Sequence, residues 1–270
     1  MSYKKWILII FGLSSFIIGN GQAFYSIPRQ VFNPYEVIGY NKNDNEYTRI
    51  ERVKNFRMEI DSFEISSQVM FAAYKEYLDA IKKDSSYNFY LSQLPDSGIT
   101  SKENYIKYIA DKKYDDFPVL GISWEAAMNY CKWKTLTEND RKKLGYIYCL
   151  PQVSEWLAAY SYLEKNKIKN DFNRNFSDWT MNLYYEGSYF GYDSNFKFDL
   201  VYLPKQKDKP RDKRMRVIGD SYLFQGEDLI QFRGFYAFEG YRQVSFRMVK
   251  VYVNEKAFTK NVIKYWGLSN

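Results

Sequence analysis

Residues 118–134 read PVLGISWEAAMNYCKWK and residues 150–161 read LPQVSEWLAAYS; these two stretches decide the fold. In the first, Ser123 precedes Trp124 and Glu125, so a hydroxyl cap followed by negative charge in the first turn predicts a helix start. Ala126, Tyr130 and Trp133 then recur at i, i+4 and i+7, with Ala127 and Cys131 beside them. In the second, Pro151 suits a first helical position, where a missing N–H costs nothing. Val153, Trp156, Leu157, Tyr160 and Leu163 follow at the spacing of a helix buried along one face.

Outward from this pair the chain is less regular. Residues 24–55 hold Pro28, Pro34 and the polar run NKNDN, and read as an extended leader with one strand. Residues 56–65 alternate apolar and polar side chains as a strand does. Residues 69–81 carry Phe71, Tyr74, Leu78 and Ile81 at helical spacing, with Ser66 or Ser67 as cap. Residues 82–117 are polar and tyrosine-rich, broken by Pro95, Gly98 and Thr100, with a short helix expected over 102–110. GYIYCL at residues 145–150 reads as a strand, and residues 186–198 as loops and short strands. Residues 205–216 hold seven basic residues against two aspartates, which reads as a solvated loop or a docking patch for an acidic surface. VSFRMVKVYV at residues 244–253 alternates cleanly, which predicts one strand with Val244, Phe246 and Met248 on one face. Residues 254–270 form a tail with one more short helix expected.

Composition bounds the function. Aromatic residues make up 20% of the chain, with 27 Tyr and 20 Phe, enough to build a core and to argue against disorder. There is no histidine, which excludes Ser-His-Asp and Cys-His catalysis and histidine-ligated metals together. The two cysteines, Cys131 and Cys149, could pair in an oxidising compartment or sit as buried free thiols. Lys4 and Lys5, the apolar run from Trp6 to Ile18, and Gly21-Gln22-Ala23 together read as a secretory signal over residues 1–23. The apolar run is too short for a membrane span. The expected location is the periplasm, the outer membrane surface or outside the cell, with no span left after cleavage. Removing residues 1–23 takes away two lysines and no acids, so the net charge falls from +7 to +5. That excess favours solubility and, in an exported protein, does not point to nucleic acid.

Taken in order, five segments resemble the formylglycine-generating-enzyme (sulfatase-modifying factor) family. They are QVMFAAYKEY at 68–77, PVLGISW through YCKW at 118–133, LPQVSEW at 150–156, NFSDW at 175–179 and SFRMV at 245–249. The family shows E-V-T-N-x-x-Y-x-x-F, P-V-x-x-V-S-W-x-x-A-x-x-Y-C-x-W, L-P-T-E-A-E-W, N-V-W-E-W and G-F-R-L-V in those places. The resemblance spans residues 56–253 and implies an irregular α+β fold with a C-type-lectin-like core. It also implies oxidation of a sulfatase cysteine to formylglycine by a cysteine pair near the C-terminus and a copper ion. Relatives include iron enzymes with histidine ligands and envelope proteins of gliding and type IX secretion systems.

The departures matter as much. No cysteine lies in residues 216–246, where the catalytic pair should be, and histidine-dependent iron chemistry is excluded by composition. The family's calcium site is implied only in part, through Asn175, Phe176 and Asp178, with Arg174 where a glycine is usual. In the alternative reading Asp178 caps a turn or pairs with Arg174. The expectation is therefore an exported, non-catalytic member, an interaction component of the bacterial envelope that binds an envelope protein partner. No cofactor is expected beyond a structural calcium. The rival is a ligand- or glycan-binding module whose lectin-like cleft is lined by Arg216, Tyr222, Arg233 and Arg247, with Phe235 and Tyr236 nearby. Residual oxidoreductase chemistry is the third reading.

Overall fold

Ser123 caps the central helix as its place before Trp124 implies: its Oγ accepts the Ala126 N–H at 3.1 Å. The computed structural model describes residues 22–37, 56–142, 145–172, 176–184, 214–219 and 231–252. In chain order these form β1 (Phe24–Ile27), β2 (Gln30–Phe32), α1 (Pro34–Val37), β3 (Met58–Ile60), β4 (Phe63–Ser66), α2 (Phe71–Asp84), α3 (Tyr87–Gln93) and α4 (Lys102–Ala110). There follow α5 (Trp124–Lys142), β5 (Tyr146–Cys149), α6 (Val153–Lys165), β6 (Ser177–Leu183), β7 (Arg214–Gly219), β8 (Gln231–Tyr236), β9 (Val244–Ser245) and β10 (Val249–Tyr252). This mixture of helices and short strands is an α+β fold.

Two four-stranded sheets frame the core, one ordered β1-β4-β10-β5 and the other β8-β7-β6-β9. The first is antiparallel throughout, whereas β6 and β9 run parallel. Strands β2 and β3 make a separate two-stranded ribbon. The leader expected over residues 24–55 is thus partly sheet: β1 pairs with β4, and β2 with β3. The single strand expected over 56–65 divides into β3 and β4, which serve different sheets. The closing pattern divides too. Phe246, Arg247 and Met248 lie between β9 and β10, crossing from one sheet to the other. The Phe246 and Met248 carbonyls accept the Val69 and Ser66 N–H groups at 3.0 and 2.7 Å, so this crossing backbone is still paired.

The two deciding segments became the core helices. α5 runs on to Lys142, well past the expected end, because Thr135 faces inward. Its Oγ1 donates to the Cys131 carbonyl and accepts the Tyr148 N–H, both at 2.8 Å, fastening the helix to β5. α6 starts at Val153 rather than Pro151: Gln152 is the cap, and the Glu155 carboxylate accepts its N–H at 2.8 Å. Pro151 lies just outside, its carbonyl accepting the Met181 N–H. α2 likewise begins at Phe71 behind Met70 with no side-chain cap, since Ser66 is the last residue of β4.

Three buried indoles point at the middle of the molecule. Trp124 Nε1 donates to the Thr180 carbonyl at 2.9 Å, Trp156 Nε1 to the Asp178 carboxylate at 2.9 Å, and Trp179 Nε1 to the Ile122 carbonyl at 3.0 Å. Each large ring is buried with its single donor satisfied. A second aromatic cluster, Tyr74, Tyr77, Tyr130, Trp133 and Phe246, packs edge-on and stacked between α2, α5 and the crossing segment.

The helix over 102–110 stands where expected, capped by Ser101. Helix α3 was not foreseen; Ser86 caps it, and Gln93 at its end is buried. Gln93 takes the Tyr74 hydroxyl on its carbonyl at 2.7 Å and the Tyr77 hydroxyl on Oε1 at 2.9 Å, which ties α3 to α2. The first 21 residues of the signal expected over residues 1–23, the loops over 186–198, the basic run before Arg214 and the tail over 254–270 lie outside the described residues.

Candidate functional site

β6 carries the polar residues Asp178, Thr180 and Asn182 at alternate positions, and all three are buried. A period-two strand puts them on one face, towards α6. Asn182 Oδ1 accepts the Val153 N–H at 2.8 Å and so receives the start of that helix. Asp178 is the centre of the site. Its Oδ1 accepts from Gln68 Nε2 at 2.9 Å, and its Oδ2 from Trp156 Nε1 at 2.9 Å and from Arg247 Nε at 2.6 Å.

Arg247 is 0% exposed and is held from all sides. Besides Asp178, its Nη1 donates to Asp171 Oδ1 at 2.9 Å and to the Ser66 carbonyl at 3.2 Å, and its Nη2 to the Asp171 carbonyl at 3.3 Å. The guanidinium carbon sits 3.7 Å from the centre of the Phe172 ring, a stacked cation–π contact. Asp171 also accepts the Gln68 N–H at 2.6 Å. Burial alone would lower the Arg247 pKa; Asp178 and Asp171 outweigh it, and the net shift is upward. The group is a fixed cation between two carboxylates, drawn from four distant parts of the chain.

This arrangement settles where several expected site residues stand. Arg247 does not line a cleft: it is interior, because the crossing between the two sheets carries its side chain to Asp178 and Asp171. Asp178 pairs with Arg247, and both of its oxygens already accept N–H donors, so a calcium ion would have to displace a guanidinium. Among the described residues, Asp178 does not fit calcium in this arrangement. Phe176 leads into β6 half-buried, and Asn175 and Arg174 lie outside the described residues.

Cys131 and Cys149 are free thiols, both 0% exposed, on α5 and β5. Burial pushes each thiol up, and for Cys131 the neighbouring Cys149 adds to it. Neither offers the thiolate that copper or cysteine-based oxidation requires. With no cysteine in residues 216–246 either, the chain's donors do not fit copper.

The rest of the expected cleft set stands apart from the buried centre. Arg216 lies in β7 and pairs with Gly234 of β8, while Arg233 pairs with Val217, so the two arginines stand at alternating positions of the ladder rather than opposite each other. Arg233 is exposed, and Tyr222 lies outside the described residues. Phe235 packs on Tyr241 with ring centres 4.0 Å apart and is structural. Tyr236 and Phe238 are 44% and 41% exposed and face each other at 5.8 Å.

A sequence model of the sulfatase-modifying factor enzyme 1-like domain matches residues 37–201, more than half of the 270 residues. The chain belongs to this family. The solved crystal structure of CarF is similar to this sulfatase-modifying-factor domain with a TM-score of 0.50 at 12% identity, covering 85% of this chain and 98% of CarF. A likeness at that identity shows the fold alone. No curated protein sequence matches the chain.

Sequence reasoning found Asp178 and Arg247 singly and missed that they are partners. The available signal was an arginine flanked by Phe246 and Met248 within an apolar pattern. A cation at such a position needs a buried acid.

Proposed function

We propose that this sulfatase-modifying-factor protein is an exported, non-catalytic member that works as a structural and interaction component of a bacterial cell envelope, of the kind serving gliding or type IX secretion. One observation carries the reading. The carboxylate that could do chemistry at the centre, Asp178, is closed by Gln68, Trp156 and Arg247, so the site holds the fold together and reaches no substrate. The buried thiols and the lack of cysteine in residues 216–246 support it further. The helical arm over residues 86–117 supports the interaction half of the reading, since it leaves Tyr87, Leu91, Ile106 and Phe117 at 72%, 44%, 57% and 54% exposure.

The test is affinity capture of the tagged, exported full-length protein from crosslinked envelope extracts. A stoichiometric envelope protein should co-purify and should be lost when Tyr87, Leu91 and Ile106 are changed to serine. Recovery as a clean monomer with nothing attached would count against the reading. So would conversion of a cysteine in a sulfatase peptide to formylglycine on adding copper.

A second reading has its own observation. The exposed Arg233, Tyr236 and Phe238, close together along and just after β8, suit a glycan- or ligand-binding module. Binding on a glycan array that is lost in Arg233→Ala and Tyr236→Ala would favour it over the scaffold.

A further inference from the structure

The chain around the expected leader boundary is part of the folded body. Strand β1 starts at Phe24 and pairs with β4 in the register Phe24 to Ser66. The ladder continues one residue earlier, because the Ala23 carbonyl accepts the Ser67 N–H at 2.8 Å. One residue earlier again, Gln22 Nε2 reaches the Ser67 carbonyl, Ser67 Oγ at 2.8 Å and the Gln68 carbonyl at 2.9 Å. Gln68 then gives its N–H to Asp171 and its side-chain amide to Asp178. Gln22 and Ala23 therefore clamp the segment that feeds the buried ion pair.

A cut after Ala23 would remove all of this. The Ser67 N–H would lose its acceptor, the three amide contacts would go, and a charged amine would stand at the first residue of an edge strand. The same small-x-small rule is met two residues earlier by Gly19-Asn20-Gly21. The sequence permits both bonds; only a cut after Gly21 leaves the mature chain with these hydrogen bonds. We infer that the leader is removed between Gly21 and Gln22, so that the mature chain begins with the glutamine whose amide pins β1 to Ser67 and Gln68. This rests on the export reading above.

The experiment is terminal-peptide mass spectrometry on the full-length protein expressed in an exporting bacterial host. A first residue of Gln22, as the free amide or as the lactam that N-terminal glutamine forms with loss of ammonia, supports the assignment. Phe24 as first residue overturns it and leaves export intact; Met1 retained on cytoplasmic protein overturns export itself. Two variants separate the bonds. Ala23 has an exposed side chain, so Ala23→Leu leaves the fold alone. It blocks a cut after residue 23 and spares a cut after residue 21. Normal processing of Ala23→Leu supports the proposal, and precursor accumulation overturns it. Gly19→Leu occupies the third position before the proposed bond and should block or displace processing; unchanged processing to the wild-type terminus overturns it.

Discussion

The interior around Asp178 and the helical arm over residues 86–117 treat their groups in opposite ways. At the centre, Asp178 and Arg247 are fully buried and paired with each other, and the partly buried Asp171 closes the other side of the guanidinium. On the arm, several apolar and aromatic side chains stand in water: Tyr87 on α3 is 72% exposed and Ile106 on α4 is 57% exposed. Burying a paired charge is tolerable only when the geometry is nearly complete. Leaving large apolar groups exposed weakens no fold but invites association. The difference teaches that the central polar groups are spent on one another, while the arm leaves its apolar groups to solvent.

The comparison breaks most sharply at Arg247. Arg247→Met should cost about 3–5 kcal/mol, because it leaves Asp178 as a buried carboxylate without its cation and takes away the partner of the partly buried Asp171. Chemical denaturation reads this directly. The double variant Arg247→Met with Asp178→Asn should recover part of the loss, and full additivity of the two changes would refute the pairing.

Next comes the joint between the two regions. Gln93 Oε1 accepts from Tyr77 and Asn129, so Gln93→Ala should cost about 1–3 kcal/mol by leaving the buried Tyr77 hydroxyl unpaired, while the Tyr74 hydroxyl keeps the backbone carbonyl. Hydrogen exchange should then quicken in α3 while the Asp178 centre stays protected. Uniform loss of protection would show that the arm and the centre fold as one unit.

A smaller effect follows from pH. Burial raises the pKa values of Cys131, Cys149, Tyr74, Tyr77, Tyr108 and Tyr130. These acids stay protonated in the fold while the unfolded chain releases its protons, so the unfolded state binds fewer protons and stability falls as pH rises. The loss should begin near the ordinary thiol pKa, with the two thiols contributing about 2 kcal/mol between pH 8 and 9.5. A melting temperature that is flat over that range in Cys131→Ala with Cys149→Ala, but not in the wild type, would assign the loss to the thiols.

The smallest stability effect belongs to the arm. Tyr87→Ser, Leu91→Ser and Ile106→Ser should each stay within about 0.5 kcal/mol of wild type. Partner capture should nevertheless fall; unchanged capture would place the contact elsewhere.

Much of the framework was legible because it rests on local signals. The Ser123 cap, the stripe from Val153 to Leu163 and the α4 boundaries are written in neighbouring residues. The strand pattern over residues 244–253 was legible only as alternation. It gave no sign that Phe246, Arg247 and Met248 leave one sheet for the other, since a turn between sheets needs no special residue when both flanks are buried. The expected cleft failed at Arg247 for the same reason: an arginine's place, inside or out, depends on an acid that lies 69 residues away.

By itself the sequence determined the two central helices and the helix over 102–110, the lack of histidine and of a C-terminal cysteine pair, and the five ordered segments that mark the family. Those are matters of residue type and short spacing. Only the tertiary structure decided that Asp178 and Arg247 are partners, that the two thiols are buried apart from any site, and that Gln22 belongs to the body. Each of these depends on distant segments meeting, and a buried charge or a strand edge is settled by its partner, which periodicity does not name.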